Sequence, residues 1–152
     1  MDMESDEHYM DLALMEAKKA ELAGEVPVGA IIVSGNAVIG RGFNQPISQN
    51  DPTSHAEINA IREAARTERN YRLSNATIYC TVEPCMMCAG AMIHTRVARL
   101  VFGTPDPRAG AAGSIYNVLT DPRLNHRVRV VSGIREDECA AILRQFFEKR
   151  RA

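Results

Sequence analysis

Two short segments of the sequence carry residue types that bind metal ions. The first is His55-Ala56-Glu57 and the second is Pro84-Cys85-Met86-Met87-Cys88. One imidazole and two thiols form a three-ligand set with which proteins hold a catalytic zinc ion, whereas a structural zinc site has a fourth protein ligand. The pattern therefore predicts zinc ligands at His55, Cys85 and Cys88, with one coordination position open and one spare acid.

The spare acid is Glu57, which lies two residues after the histidine. It is too near along the chain to be an obvious fourth ligand, but it can face the same cavity. Zinc lowers the pKa of a bound water from about 15.7 towards about 7. Glu57 is then placed to take a proton from water and to pass it to a substrate, first as a base and then as an acid. The two segments therefore predict hydrolytic chemistry.

The spacing of the two cysteines predicts that both lie at the start of one helix. Pro84 fits the first turn of a helix, and residues three positions apart on a helix project from the same face. The partial positive charge of a helix N-terminus favours thiolates over thiols. Cys85 and Cys88 are therefore expected to share one metal ion.

Two other interpretations of the cysteines remain open. A Cys-x-x-Cys pair at a helix start is also typical of thioredoxin-like redox proteins, although that interpretation gives His55-Ala56-Glu57 no role. Alternatively, Cys80 could complete a closed structural zinc site. We expect Cys80 and Cys139 to lie in the core instead, because a buried free cysteine behaves as a small hydrophobic residue.

The composition is that of one globular domain spanning residues 1–152, with 45% hydrophobic and 24% charged residues. No run of eighteen apolar residues occurs, so no membrane span is predicted. The acidic N-terminus lacks the apolar segment of a secretory signal, which favours a cytoplasmic location. The absence of a secretory signal favours metal-binding or chemically inert cysteines over disulfide formation.

The charges are distributed unevenly along the chain. Residues 1–89 carry 7 Lys and Arg against 13 Asp and Glu, whereas residues 90–152 carry 11 against 6. The basic half ends in Lys149-Arg150-Arg151. Charge alone favours a solvated face, with an anionic partner as the alternative.

Hydrophobic periodicity predicts strands that alternate with helices. The predicted strands are 28–33, 37–42, 76–82, 97–102 and 128–132, and the predicted helices are 5–23, 55–66, 84–94 and 135–150, with a short helical piece near 115–119 and loops at 43–54 and 103–114. Ser5 or Asp6 is the predicted N-cap of the first helix, and Thr53 or Ser54 that of the second. Because the hairpin at 28–42 makes the sheet mixed, we predict an α/β fold, a three-layer α/β/α sandwich around a mixed five-stranded sheet.

His-x-Glu followed by Pro-Cys-x-x-Cys resembles the zinc-dependent nucleobase deaminases, a family that includes the tRNA-editing adenosine deaminases. The zinc motif alone does not separate cytosine, guanine, cytidine and adenosine deaminases. Further segments resemble the tRNA-editing members, and the loop 110–114 and the aromatic, basic tail point to tRNA. These segments are Glu25–Ala30, Gly42–Asn44, Glu83–Met92, Gly110–Ser114, Asn125–Val128, Asp137–Ala140 and Phe146-Phe147.

The resemblance implies a cytidine deaminase-like fold and a homodimer with one zinc per subunit. The implied reaction is hydrolysis of the wobble adenosine in the tRNA-Arg anticodon to inosine, with release of ammonia and with Glu57 as proton shuttle. The implied substrate contacts are Asn44, Val28, Ala56, Asp106, Phe147, Arg150 and Arg151. A deaminase acting on free guanine or cytosine is the alternative. Two prolines beside Asp106 depart from the family pattern and are expected to stiffen that loop.

Overall fold

The structure is a computed structural model that describes residues 2–151. It contains one sheet with helices on both sides. None of the helices in this range is long and apolar enough to span a bilayer. The elements are α1 (Met3–Leu22), β1 (Gly29–Ser34), β2 (Ala37–Phe43), α2 (Pro46–Gln49), α3 (Ala56–Glu68), β3 (Ala76–Val82), α4 (Met86–Thr95), β4 (Arg99–Thr104), β5 (Arg129–Ser132) and α5 (Glu136–Arg151).

The sheet has five strands in the order β2-β1-β3-β4-β5. Strand β1 runs antiparallel to both of its neighbours, whereas β3, β4 and β5 are mutually parallel. The prediction of a mixed five-stranded sheet is confirmed.

The sheet is covered on both faces, as the side chains of β1 show. Ala30 and Ile32 pack into a core with residues of α3 and α4. Ile31 and Val33 point the other way, into a core with residues of α1 and α5. A strand buried on both faces is apolar at every position rather than at alternate ones. The three-layer α/β/α arrangement is therefore also confirmed.

The register of the strands brings four strand ends to one edge of the sheet. Phe43, at the end of β2, pairs with Gly29, at the start of β1. The start of β1 also lies beside the end of β3, and the end of β3 pairs with the end of β4. The connections that follow β2, β3 and β4 consequently begin at the same edge, where α/β proteins commonly bind ligands.

A glycine in β2 lets α3 lie directly on the strand. A Cβ added at Gly42 would stand 2.3 Å from the carbonyl oxygen of Ala56 and 2.5 Å from the amide nitrogen of Ala60. Both atoms belong to the helix backbone, so any larger residue at position 42 would displace the helix. The close contact fixes the start of α3 and hence the position of His55.

A buried ion pair joins α1 to β3 and β4. The Asp6 carboxylate accepts hydrogen bonds from the Tyr79 hydroxyl at 2.7 Å and from Arg99 Nη1 at 2.9 Å, and Arg99 Nη2 bonds its second oxygen. Asp6 therefore points into the interior. The predicted N-cap at Ser5 or Asp6 is wrong, because Asp2 caps α1 by accepting from the Ser5 amide at 2.8 Å.

Two predicted local structures also differ from the observed ones. The loop predicted at 43–54 contains the short helix α2. The helical piece predicted near 115–119 is absent, because the backbone there hydrogen-bonds to the opposite side of the loop. Val118 N–H donates to the Ala111 carbonyl, and Ala112 forms an isolated β-bridge with Asn117.

We expect Asp6→Asn to lower the free energy of unfolding by about 3 kcal/mol, because it removes one charge of a buried ion pair. Urea denaturation followed by circular dichroism measures the change. Asp11→Asn is the matched control, since Asp11 pairs with Arg135 at the surface, where an ion pair contributes about 1 kcal/mol or less. Equal effects of the two substitutions would contradict the structural importance of Asp6.

Candidate metal centre

Three side chains converge where the connections after β2 and β3 enter their helices. His55 Nδ1 lies 3.6 Å from Cys85 Sγ and 3.5 Å from Cys88 Sγ, and the three atoms lie within 4.8 Å of one another. Zinc bonds of about 2.3 Å to sulfur and about 2.0 Å to nitrogen at tetrahedral angles place the two kinds of ligand atom about 3.5 Å apart. The cluster therefore fits a zinc ion bound through Nδ1 and both sulfurs.

Both ligand segments stand at helix starts, with a small shift from the prediction. Cys85 is the N-cap of α4 and only Cys88 lies within its first turn. Likewise His55, rather than Thr53 or Ser54, is the N-cap of α3. The His55 side chain makes no capping hydrogen bond, and the Ala56 amide donates to Asn44 Oδ1 at 3.0 Å.

Hydrogen bonding favours a thiolate at the first cysteine. The Cys88 thiol and then His55 donate to Cys85, and together they lower its pKa to about 3 although burial opposes them. The same Cys85–Cys88 hydrogen bond raises the pKa of Cys88, the donor. The pair thus presents one thiolate and one thiol that donates to it, and binding of a metal ion through both sulfurs requires that the thiol also lose its proton.

Glu57 lies in the first turn of α3 and its side chain is buried. Burial raises its pKa to about 7, and a hydrogen bond from the backbone amide of Glu57 itself and the charge of His55 partly offset this effect. A carboxyl group with a pKa near neutrality, beside the cluster of His55, Cys85 and Cys88, is suited to accept and return a proton.

The other two cysteines lie outside this cluster. Among residues 2–151, the group able to hold a metal ion consists of His55, Cys85 and Cys88. Cys80 is fully buried within the core of the α3 face, and burial raises its pKa well above the usual value. Cys139 packs in the opposite core. A closed site with Cys80 as fourth ligand therefore finds no support in the geometry.

Three of the residues implied as substrate contacts lie together beside the cluster. The backbone N–H of Asn44 donates to the Val28 carbonyl at 3.1 Å, and the side-chain oxygen of Asn44 accepts from the backbone N–H of Ala56. This second bond fixes the orientation of the Asn44 side chain, because only its oxygen can accept from an N–H group. Its NH₂ group consequently remains available as a donor.

Asp106 lies in the connection after β4, at the same edge of the sheet. Its carboxylate accepts from the backbone amides of Arg108 at 3.0 Å and Ala109 at 3.3 Å. The carboxylate thus closes the turn that contains Pro107, and its implied contact with a nucleotide sugar stays a prediction.

The three tail residues differ in their surroundings. Arg150 lies 4.6 Å over the ring of Phe146 and donates to the Gly24 carbonyl at 2.6 Å, so it docks the end of α5 onto the segment before β1. Phe147 is 44% exposed, and Arg151 is also exposed. Arg150 is exposed as well, so all three residues are accessible to solvent, and Arg150 differs in that its guanidinium also docks the helix end.

Sequence reasoning assigned no role to two buried glutamates that hold the connections bordering the cluster. Glu25 accepts from the amides of Ile47 at 3.2 Å and Ser48 at 2.7 Å and so anchors α2. Glu83 accepts several bonds from the connection after β4. Burial would raise the pKa of each, but these hydrogen bonds lower both. In the sequence, each of these glutamates precedes a proline by one or two residues within a largely apolar segment.

Comparison with known proteins agrees with the geometry. The family model of MafB19-like deaminases matches residues 4–151. The chain is 50% identical over 149 residues to a tRNA-specific adenosine deaminase of Haemophilus influenzae, covering 97% of this chain and 86% of the relative. It is 45% identical to the Bacillus subtilis protein of the same name, covering 98% and 92%.

A solved structure shares this fold closely. It comes from work on A-to-I editing by tRNA:A34 deaminases at the wobble position of transfer RNA. The TM-score is 0.86 and the sequence identity 43%, with 90% of this chain and 99% of that chain covered. The predicted cytidine deaminase-like fold is confirmed.

We expect Glu25→Gln to lower the free energy of unfolding by about 1 to 3 kcal/mol, because the amide offers one acceptor oxygen where the buried carboxylate bonds two backbone N–H groups. Hydrogen exchange should show faster exchange at Ile47 and Ser48. The control is Glu63→Gln, which alters one exposed hydrogen bond to the Arg41 amide. Unchanged protection at Ile47 and Ser48 would contradict the anchoring role.

Proposed function

The chain belongs to the MafB19-like deaminase family and groups with the tRNA-specific adenosine deaminases, and from this we propose that it converts the wobble adenosine of the tRNA-Arg anticodon to inosine with release of ammonia. The observation that carries the proposal is the cluster of His55, Cys85 and Cys88 beside the buried carboxyl group of Glu57. The same catalytic set serves other base deaminases, so the choice of tRNA rests on the relatives at 41–50% identity.

We propose one zinc ion per subunit, held by His55 Nδ1 and the sulfurs of Cys85 and Cys88. When bound, zinc supplies Lewis acidity that activates water for attack on the carbon bearing the amino group. The protein's part is to exclude bulk water from the site and to move protons. Glu57 takes a proton from the attacking water and passes it to the ring nitrogen. It then takes the proton of the hydroxyl group that has been added to the carbon and passes it to the amine, which leaves as ammonia while the carbonyl of inosine forms.

Asn44, Val28 and Ala56 form the proposed binding surface for the flipped base. The Asn44 side chain is oriented by the Ala56 amide, so its NH₂ group donates to an acceptor nitrogen of the purine. Val28 packs at the edge of the apolar core and provides an apolar wall. Asp106, at the same edge of the sheet, lies on the proposed path of the target nucleotide's sugar.

The tail is proposed to extend the contact along the RNA. An exposed aromatic ring offers a stacking surface for a base, and exposed arginines bind phosphates. Phe147 and Arg151 meet these requirements, whereas Arg150 would have to exchange its bond to Gly24 for one to RNA. We further propose that the protein is a cytoplasmic homodimer with RNA contacting both subunits.

We expect the purified protein to form inosine in an unmodified tRNA-Arg anticodon stem-loop. The inosine is measured by nuclease digestion and liquid chromatography. The matched control is the same stem-loop with guanosine at the wobble position, which should release no ammonia. Turnover of free guanine or cytosine without any reaction on the stem-loop would instead support the small-molecule alternative.

We expect Glu57→Gln to reduce kcat by about 10²- to 10⁴-fold, because it removes the proton-transfer group, while one zinc per chain is retained. Cys88→Ala should lose both zinc and activity. The matched control is Glu63→Gln, an exposed position on the same helix, which should change neither. Zinc is measured by elemental analysis. Full activity of Glu57→Gln would exclude the assigned proton shuttle.

A further inference from the structure

We propose that Glu83 is a positioning residue that fixes residues 106–116, here called the substrate loop, in the shape that binds RNA. The inference rests on the proposed function and deepens it. Glu83 is a buried carboxylate that is not one of the proposed metal ligands and is not assigned a contact with the reacting atoms. Its proposed role is to determine how the RNA is held, whereas Glu57 and the metal ligands are proposed to perform the chemistry.

The hydrogen bonds that the Glu83 carboxylate accepts all come from the substrate loop. Oε1 accepts from the Asp106 amide at 3.0 Å and from the Ser114 hydroxyl. Oε2 accepts from the amides of Ala112 at 2.9 Å and Ser114 at 3.0 Å. Four donors thus fill the acceptor positions of one carboxylate, and the two ends of the loop are tied to the same group.

A glycine in the loop makes this convergence possible. A Cβ added at Gly110 would stand 2.3 Å from Cδ of Glu83 and within 2.5 Å of both carboxylate oxygens. No alanine or larger residue fits without moving either the loop or the carboxylate. Gly110 and Glu83 are therefore two halves of a single contact.

The same contact joins the loop to the metal centre. Glu83 lies two residues before Cys85, and the Glu83 amide donates to the Thr104 carbonyl at 2.9 Å. The Ala111 amide donates at 2.8 Å to the carbonyl of Pro84, the residue next to Cys85. The loop is thus built against the turn that carries the first sulfur ligand, and its position is set relative to that ligand.

The outer surface of the loop has the character of a nucleic-acid contact. Ile115 and Tyr116 are about half exposed, at 51% and 49%, and Arg108 is exposed. An exposed aromatic ring and a nearby cation suit stacking on a base and contact with phosphate. Since Glu83 holds the inner side of the loop, its loss should affect RNA binding more than the chemical step.

The decisive measurement is the separation of KM from kcat in Glu83→Gln. Glutamine keeps the size of the side chain but has one acceptor oxygen and an NH₂ group that cannot accept from backbone amides. We expect KM for the anticodon stem-loop to rise about tenfold and kcat to stay within about threefold, the pattern of lost binding with intact chemistry. Zinc content should remain one per chain, and hydrogen exchange should accelerate at Asp106, Ala112 and Ser114.

Gly110→Ala is an independent test of the same contact. It should reproduce the KM effect, and the double variant should be little worse than either single variant, because both changes release one loop. Gly90→Ala is the matched glycine control, since a Cβ there meets no atom within 4 Å. Glu68→Gln, exposed at the far end of α3, is the matched charge control.

Three outcomes would overturn the inference. An unchanged KM in Glu83→Gln would show that the loop needs no carboxylate, and loss of zinc would show that Glu83 supports the ligand turn instead. Fully additive effects of Glu83→Gln and Gly110→Ala would show that they act separately. If the wild-type protein forms no inosine, the proposed function fails by itself, and stem-loop binding by fluorescence anisotropy together with hydrogen exchange then decides the role of Glu83.

Discussion

The convergence of strand ends at one edge of the sheet is the constraint on which the candidate site depends. His55 follows β2, whereas Cys85 follows β3, and the two are 30 residues apart in the chain. They meet because β1 pairs antiparallel with both strands and so aligns their ends. The parallel partner β4 then ends at the same edge. A shift of one residue in this register would turn every side chain of a strand to the opposite face of the sheet. The same strand register therefore determines both apolar cores and the position of the His55, Cys85 and Cys88 cluster.

Buried carboxylates turn this edge into a defined site. Isolated buried charges are costly, but carboxylates that accept several N–H bonds are stabilised by them. Glu25 holds the connection that leads to His55, and Glu83 holds the connection after β4. Long connections are usually the most mobile parts of a fold. Here each connection is hydrogen-bonded to a buried glutamate close to the end of a strand. The proposed binding surface can therefore be formed before a substrate arrives.

The sequence allowed the cluster of His55, Cys85 and Cys88 and the layers of the fold to be predicted, because both follow from local patterns. Cys-x-x-Cys spacing and the apolar run of β1 are readable within a few residues. The partners of Asp6 and Glu83 were not readable, since Arg99 lies 93 positions from Asp6 and Ser114 lies 31 from Glu83. The missing helix near 115–119 has the same cause: local propensity favoured a helix, but hydrogen bonds across the loop prevailed.

The residues proposed for the chemistry and those proposed for substrate choice lie in different parts of the molecule. Glu57 and the cluster of His55, Cys85 and Cys88 are confined to two helix starts, whose positions are fixed by packing against the sheet. The surfaces proposed to contact RNA come from three separate places: the connection after β2, the substrate loop and the end of α5. A fold that keeps the first set while changing the second can act on different bases with one reaction. As a positioning residue, Glu83 would act on how RNA is held rather than on the reaction itself, because its hydrogen bonds set the position of the substrate loop relative to the turn that carries Cys85.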